Sequence, residues 1–200
     1  RSVAAGNACN QSEAARLASK AANTGEVDPD ALRNMRQAHE PFLALLKERV
    51  RVMELLRGRW SARNPNQAIE FAANTSEPAV LVDLLSILNR MEIKSWKLDT
   101  ATAVLPLLNN LMASKYSSHV ETACDTLKIV LKHFGQLISS TARGLPSIGV
   151  DLCQESRVNK CQDCMYHLDQ LRDSLSSDSV IEKAGPIGRE ARIMFELLNS

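Results

Sequence analysis

Apolar residues between positions 95 and 139 recur at spacings of three and four. Leu98, Ala101, Leu105, Leu108 and Met112 form one series; Val120, Ala123, Cys124, Leu127, Val130, Leu131, Phe134 and Ile138 form the next. That period puts each series on one face of an α-helix. The polar stretch 114–118 between them is short, which makes the two helices antiparallel neighbours. The pattern predicts a helical hairpin over 95–139 that serves as the trunk of the domain.

The same reading extends along the chain. Residues 1–27 are rich in Ala, Ser and Asn and poor in large apolar side chains. Positions 13–22 favour helix by propensity but have little to bury, so a flexible lead-in or linker is expected there. Order is expected from Asp28-Pro29 onward, where Asp caps and Pro suits a first helical turn. Pro41 either kinks that helix or starts a new one after Glu40. Phe42, Leu45, Leu46, Val52, Met53, Leu56 and Trp60 then define one wide apolar face. Asn64-Pro65 opens a short helix carrying Ile69 and Phe71, and Ser76-Glu77-Pro78 opens another. The latter runs through AVLVDLLSILN at 79–89, which is apolar on most sides and therefore central.

Beyond the trunk, 141–150 reads as a loop from its Gly and Pro content. Asp151 with Gln154 resembles a capping box for a helix to about Leu175. A polar break at 176–179 and the run Gly185-Pro186-Ile187-Gly188 precede a last helix ending at Leu198. No segment of four or more residues alternates cleanly, so no sheet is predicted. The expected fold is all-α: an array of antiparallel helical hairpins, 65–90, 95–139 and 151–198, in an armadillo/HEAT-like layout. The expected organisation is a lead-in over 1–27 and one helical domain over 28–200.

Composition changes this picture little. With 200 residues the chain can bury a sizeable core. Aromatic content of 4% fits Leu- and Ala-rich helix packing. A net charge of +1 and few aromatics to stack on bases argue against nucleic acid as the partner. The five cysteines are an odd number, and no apolar run approaches the roughly 18 residues of a membrane span. Free thiols in a cytosolic or nuclear protein with no membrane partner are expected. The sequence opens on Arg1 rather than Met, which predicts a piece of a longer chain.

Two clusters carry candidate chemistry. Lys47, Arg49, Arg51, Arg57, Arg59 and Arg63 face only Glu48 and Glu54 within 47–63, a local excess of four positive charges. Such a run is either a solvated helix face or a patch for an acidic partner. At about 100° per residue, Lys47 and Arg51 fall opposite the apolar stripe while Arg49 falls near its middle. There Arg49 needs a carboxylate or a partner surface, unless its stem packs and its head reaches water. The second cluster is Cys161-x-x-Cys164 with His167 close behind. It sits mid-helix on the face of Val158, Met165, Leu168, Leu171 and Leu175, and only Cys153 is near enough in sequence to add a ligand. Packing as small hydrophobes is the expected role, with no metal and no cofactor. Trp96 reads as core rather than partner anchor. Trp60 joins the basic run as a candidate partner-binding residue, and Ile129 lies on the polar side of its helix, to pack on another layer or a partner. No nucleotide loop, HExxH or GxSxG is present, so no enzyme is expected.

Several elements together resemble one family. SWKLD (95–99), VLP (104–106), SKY (114–116), LK-x-VL (127–131), PSIGVD (146–151), Glu155-x-Arg157 and Lys160-Cys161-x-x-Cys164 occur in the order found in the C-terminal domain of katanin regulatory subunits. AVLVDLLSILN is similar to its neighbouring helix, and the similarity runs from about Ala31 to Leu198. The resemblance implies a non-catalytic regulatory domain that binds the N-terminal helical (MIT-type) domain of the katanin AAA ATPase. It implies microtubules as a further partner, with spindle-pole and minus-end proteins recruited in turn, and a cytoskeletal, centrosome and spindle-pole location. It makes Lys47, Arg49, Arg51, Arg57, Arg59, Arg63, Trp60 and Ile129 the candidate partner- and microtubule-binding residues. A generic helical-repeat scaffold for peptides, unrelated to severing, is the competing reading.

Overall fold

The apolar periods predicted above become helices in a computed structural model, whose described residues are 29–61, 64–75, 77–91, 96–144 and 152–199. These form seven helices: α1 (Pro29–Arg59), α2 (Asn66–Ala73), α3 (Pro78–Arg90), α4 (Leu98–Met112), α5 (Ser117–Arg143), α6 (Leu152–Leu175) and α7 (Asp178–Asn199). No strand occurs among them, so the fold class is all-α. The expectations for 1–27 and for Asp151 as a cap fall outside the described residues.

The chain divides between Val50 and Arg51 into two units. In the first, 29–50 form most of α1. Pro29 starts the helix, Asp30 lies in its first turn, and Arg33 pairs with Asp30 at 3.4 Å. The helix runs through Pro41 without ending. Pro41 removes one N–H and leaves the carbonyl of Gln37 without its usual donor. Gln37 is exposed, so water can satisfy it.

In the second unit, α5 is the middle element and packs on α3, α4, α6 and α7. α4 also packs on α2 and α6, α2 on α3, and α6 on α7. Helices α2, α4 and α6 thus neighbour one another in turn, as do α3, α5 and α7. Side-chain ties reinforce each series. Asn89 and Thr126 exchange hydrogen bonds at 3.0 and 3.1 Å between α3 and α5. The Lys128 ammonium bonds Glu190 between α5 and α7. Asn109 donates to Gln170 at 3.2 Å and accepts from Ser174 at 3.1 Å between α4 and α6. The core they frame is built on Leu84, Leu85, Leu88, Leu105, Leu108, Leu127, Ile138, Leu168 and Leu171.

Helix ends are satisfied locally. The Asn64 side chain accepts from the Asn66 N–H at 3.3 Å, which answers one orphan donor at the start of α2. Trp96 is buried, as expected for a core residue, and its indole N–H donates to the Leu88 carbonyl at 3.3 Å near the end of α3. The Lys183 ammonium donates to the Ser114 carbonyl at 3.0 Å, past the C-terminus of α4, where a cation is favoured. α5 and α7 come close at Gly135: a Cβ there would stand 3.2 Å from Leu198 Cδ1, so the Leu198 side chain would have to give by a few tenths of an ångström.

Three boundaries differ from expectation. Residues 141–143 continue α5 rather than opening a loop. Ser177 precedes a helix that begins at Asp178, well before Gly188. Gly185 bends that helix with φ 59° and ψ −133°, a conformation that only glycine adopts at low cost. The break frees Pro186 from needing a preceding helical residue, so helix continues on both sides of it.

Two outcomes follow from this packing. Gly185→Ala strains the backbone and should lower stability by about 1–3 kcal/mol, read as a reduced urea midpoint. Gly58→Ala meets no atom within 4 Å near the end of α1 and should raise it by up to about 1 kcal/mol. The Cys124 thiol, buried on α5, is pushed from 9.0 to about 11, chiefly by desolvation and then by the Asp125 carboxylate. Above pH 9 the unfolded thiol ionises while the folded one stays protonated, so the unfolded state holds fewer protons and stability falls. The loss should run between pH 9 and about 11 and be of order 2 kcal/mol. Cys124→Ala should show a smaller fall in urea midpoint over the same interval.

Candidate partner-binding surface

The basic run lies at the C-terminal end of α1 and just beyond it. In the first unit Lys47 is exposed and Arg49 is half-buried, in keeping with its place on the apolar side of the helix. In the second unit Arg51, Arg57 and Arg59 are exposed. Arg63 lies outside the described residues. Arg59 folds back: its Nη1 donates to the Leu55 carbonyl at 3.3 Å, and its guanidinium stands 4.2 Å over the Phe71 ring. That cation–π contact holds the end of α1 against α2 and orients the positive charge. Trp60 is half-buried and packs on the core, so most of its surface serves the fold. Ile129 is also half-buried against the core, on α5.

The wide apolar face expected over 42–60 does not behave as one surface. Val52 and Leu56 are buried, and Met53 packs on the core beside them. Phe42, Leu45 and Leu46 are exposed, at 56%, 61% and 43%. Leu32, Met35, Leu43 and Val50 are exposed as well and were not singled out from the sequence. Their signal was present in the spacing of Leu32, Met35, Phe42 and Leu46, which extends the apolar series backward through Pro41. Large apolar side chains clustered on a helix in water mark an interaction face.

A second feature is a cleft of about 730 Å³ lined by Ala72, Pro78, Leu81, Leu111, Tyr116 and His119, among others. The polar turn after α4 forms one wall. There the Ser114 hydroxyl lies 3.1 Å from His119 Nδ1, and the Lys115 ammonium sits 5.0 Å from the centre of the Tyr116 ring. His119 is therefore half-buried and engaged. Small side chains at Ala72, Ala73 and Ala79 make room for the cleft.

Cys161 and Cys164 are fully buried on α6, within the core. Cys164 Sγ lies 3.3 Å from the Thr102 hydroxyl on α4. Burial pushes the Cys164 thiol up despite that hydrogen bond, the opposite of the lowered value that makes a thiol reactive. Among the described residues, no group of three or more His, Cys, Asp or Glu side chains is placed to hold a metal ion. No helix among them is long and apolar enough to cross a membrane. What these features offer is surface: apolar side chains on the first part of α1, cations toward its end, and an open cleft.

The chain has relatives among known proteins. A family profile described as the con80 domain of katanin matches residues 37–198. The chain is 34% identical over 170 residues to katanin p80 WD40 repeat-containing subunit B1 of Danio rerio, which covers 85% of the chain and 24% of that protein. The Xenopus tropicalis protein of the same name is 36% identical over 174 residues, covering 87% of the chain and 26% of its own length. A plant relative, the subunit B1 homolog KTN80.3 of Arabidopsis thaliana, is 28% identical over 155 residues, 77% of the chain and 18% of the relative. The chain thus spans about a quarter of the length of the animal relatives. With a profile match over residues 37–198, this chain belongs to the katanin con80 family.

Proposed function

We propose that the chain is a non-catalytic regulatory and targeting domain, with residues 28–200 as its working unit. Its partner is the N-terminal helical (MIT-type) domain of the katanin AAA ATPase, and its role is to promote microtubule binding and severing. The observation that carries this reading is the match to the con80 domain over 37–198. The exposed apolar residues of α1 support it, since a helical bundle is the kind of surface that covers such a face. The alternating neighbours of α2 to α7 support an armadillo/HEAT-like array as the scaffold that presents it. The proposal extends to spindle-pole and minus-end proteins as further partners and to a cytoplasmic, cytoskeletal location.

In this reading the two kinds of surface divide the work. Phe42, Leu45 and Leu46 contribute area to the intersubunit face. Arg49, half-buried on the same helix, reaches an acidic group of the ATPase, with the planar fork that such pairing favours. Arg51, Arg57, Arg59 and Arg63, with Lys47, offer positive charge to the acidic tails of tubulin. Trp60 and Ile129, mostly committed to the core, shape the surface from beneath.

A pull-down with the ATPase N-terminal bundle tests the central claim. The chain should be retained, and Arg49→Glu should weaken binding at least tenfold. Unchanged affinity of that variant would remove Arg49 from the interface, and failure of the parent chain to bind would remove the reading. Microtubule pelleting of the complex should weaken between low and moderate salt, because exposed charges are screened over a shrinking distance. Reversal of Arg51 and Arg57 to Glu should reproduce the loss at low salt. Pelleting that ignores salt would exclude the basic run.

A further inference from the structure

From position 32 to position 49, α1 carries a strict alternation of three- and four-residue steps: Leu32, Met35, His39, Phe42, Leu46 and Arg49. This is the seam pattern of a two-stranded coiled coil. Leu32, Met35, Phe42 and Leu46 are all well exposed, and Leu43, Leu45 and Val50 flank them on the same unit. Pro41 falls on the far side of the helix from this seam at about 100° per residue, so its ring leaves the seam intact.

The seam is its own complement when two copies run antiparallel. Layer by layer, Leu32 then meets Arg49 of a second copy, Met35 meets Leu46, and His39 meets Phe42. Each layer recurs across a two-fold axis at the middle of the helix, as an isologous dimer requires. Parallel pairing would instead set Arg49 against Arg49 inside the contact, bringing like cations together where water is being removed. In the antiparallel arrangement the two Arg49 positions stand about 26 Å apart along the axis, well beyond the ~8 Å screening length at physiological salt. Their long stems can cover Leu32 while the charged heads reach solvent. Polar residues within an otherwise apolar seam are the usual means of fixing register and orientation.

We infer that the free chain pairs with a second copy of itself through antiparallel α1 helices over 32–49. The inference rests on α1 alone. Its regulatory consequence rests on the reading above, in which the ATPase bundle uses the same helix: self-pairing hides that face, and the bundle displaces one copy of the chain by taking its place.

Sedimentation of the full 200-residue chain over a hundredfold range of concentration tests the pairing. A shift from monomer to dimer is expected, and Phe42→Glu should leave monomer at every concentration with unchanged circular dichroism. Orientation is read by oxidative cross-linking in a chain with Cys9→Ser and Cys153→Ser. Met35→Cys chains mixed with Leu46→Cys chains should give a linked dimer, whereas Leu46→Cys chains alone should not. A monomer at all concentrations, a dimer indifferent to Phe42→Glu, or an efficient link between two copies of Leu46→Cys would each overturn the inference. The two readings fail separately. Capture of the ATPase bundle by a chain that is always monomeric overturns self-pairing and keeps the proposed function. A dimer with the expected cross-link that never captures the bundle does the reverse.

Discussion

The burial of α5 among four other helices is the constraint on which the second unit depends. A helix enclosed on so many sides must be apolar around much of its circumference, and α5 buries Val120, Ala123, Cys124, Leu127, Val130, Leu131 and Ile138. It must also be narrow where a neighbour comes close, which is the role of Gly135 beneath Leu198. Lys128, partly buried, is neutralised by Asp125 on its own helix and Glu190 on α7. Thr126, fully buried, is held by its bonds to Asn89 and to the Thr122 carbonyl. Leu, Ala and small polar residues meet these demands together, which accounts for how little aromatic material the chain needs.

α1 is governed by different physics on either side of Val50. Val52 and Leu56 are covered by the chain itself, whereas Phe42, Leu45 and Leu46 keep much of their surface in water. Water contact at several large side chains is unfavourable by an amount that scales with area. Helical propensity and the Asp30–Arg33 pair contribute little against that. An exposed apolar helix of this kind is completed by association, and both the ATPase reading and self-pairing are ways of completing it.

Much of the fold was legible in the sequence because its strongest periods are long and uninterrupted. α4 and α5 begin and end close to where their apolar series do, and Pro29 and Pro78 mark helix starts as their fixed φ demands. Pro41 and Gly185 were harder, for opposite reasons. A proline on an exposed helix face need not break it, and a glycine can break a helix so locally that both halves survive. The binding surface was the least legible part. Periodicity shows that 42–60 has an apolar side, but Phe42 and Val52 look alike in that respect. What separates them is whether another part of the chain arrives to cover them, and no local pattern holds that information. The family resemblance was legible for another reason: it rests on several short elements in a fixed order, and the con80 match covers the same span.

The bend at Gly185 turns α7 into two short rods with separate moorings. The first is tied by Lys183 to the turn after α4; the second is tied by Glu190 to Lys128 and by Leu198 to the close approach at Gly135. The first half is thus fastened beside the cleft wall near Tyr116, and the second half along the middle of α5. One residue without a side chain lets a single helix serve two sites of attachment.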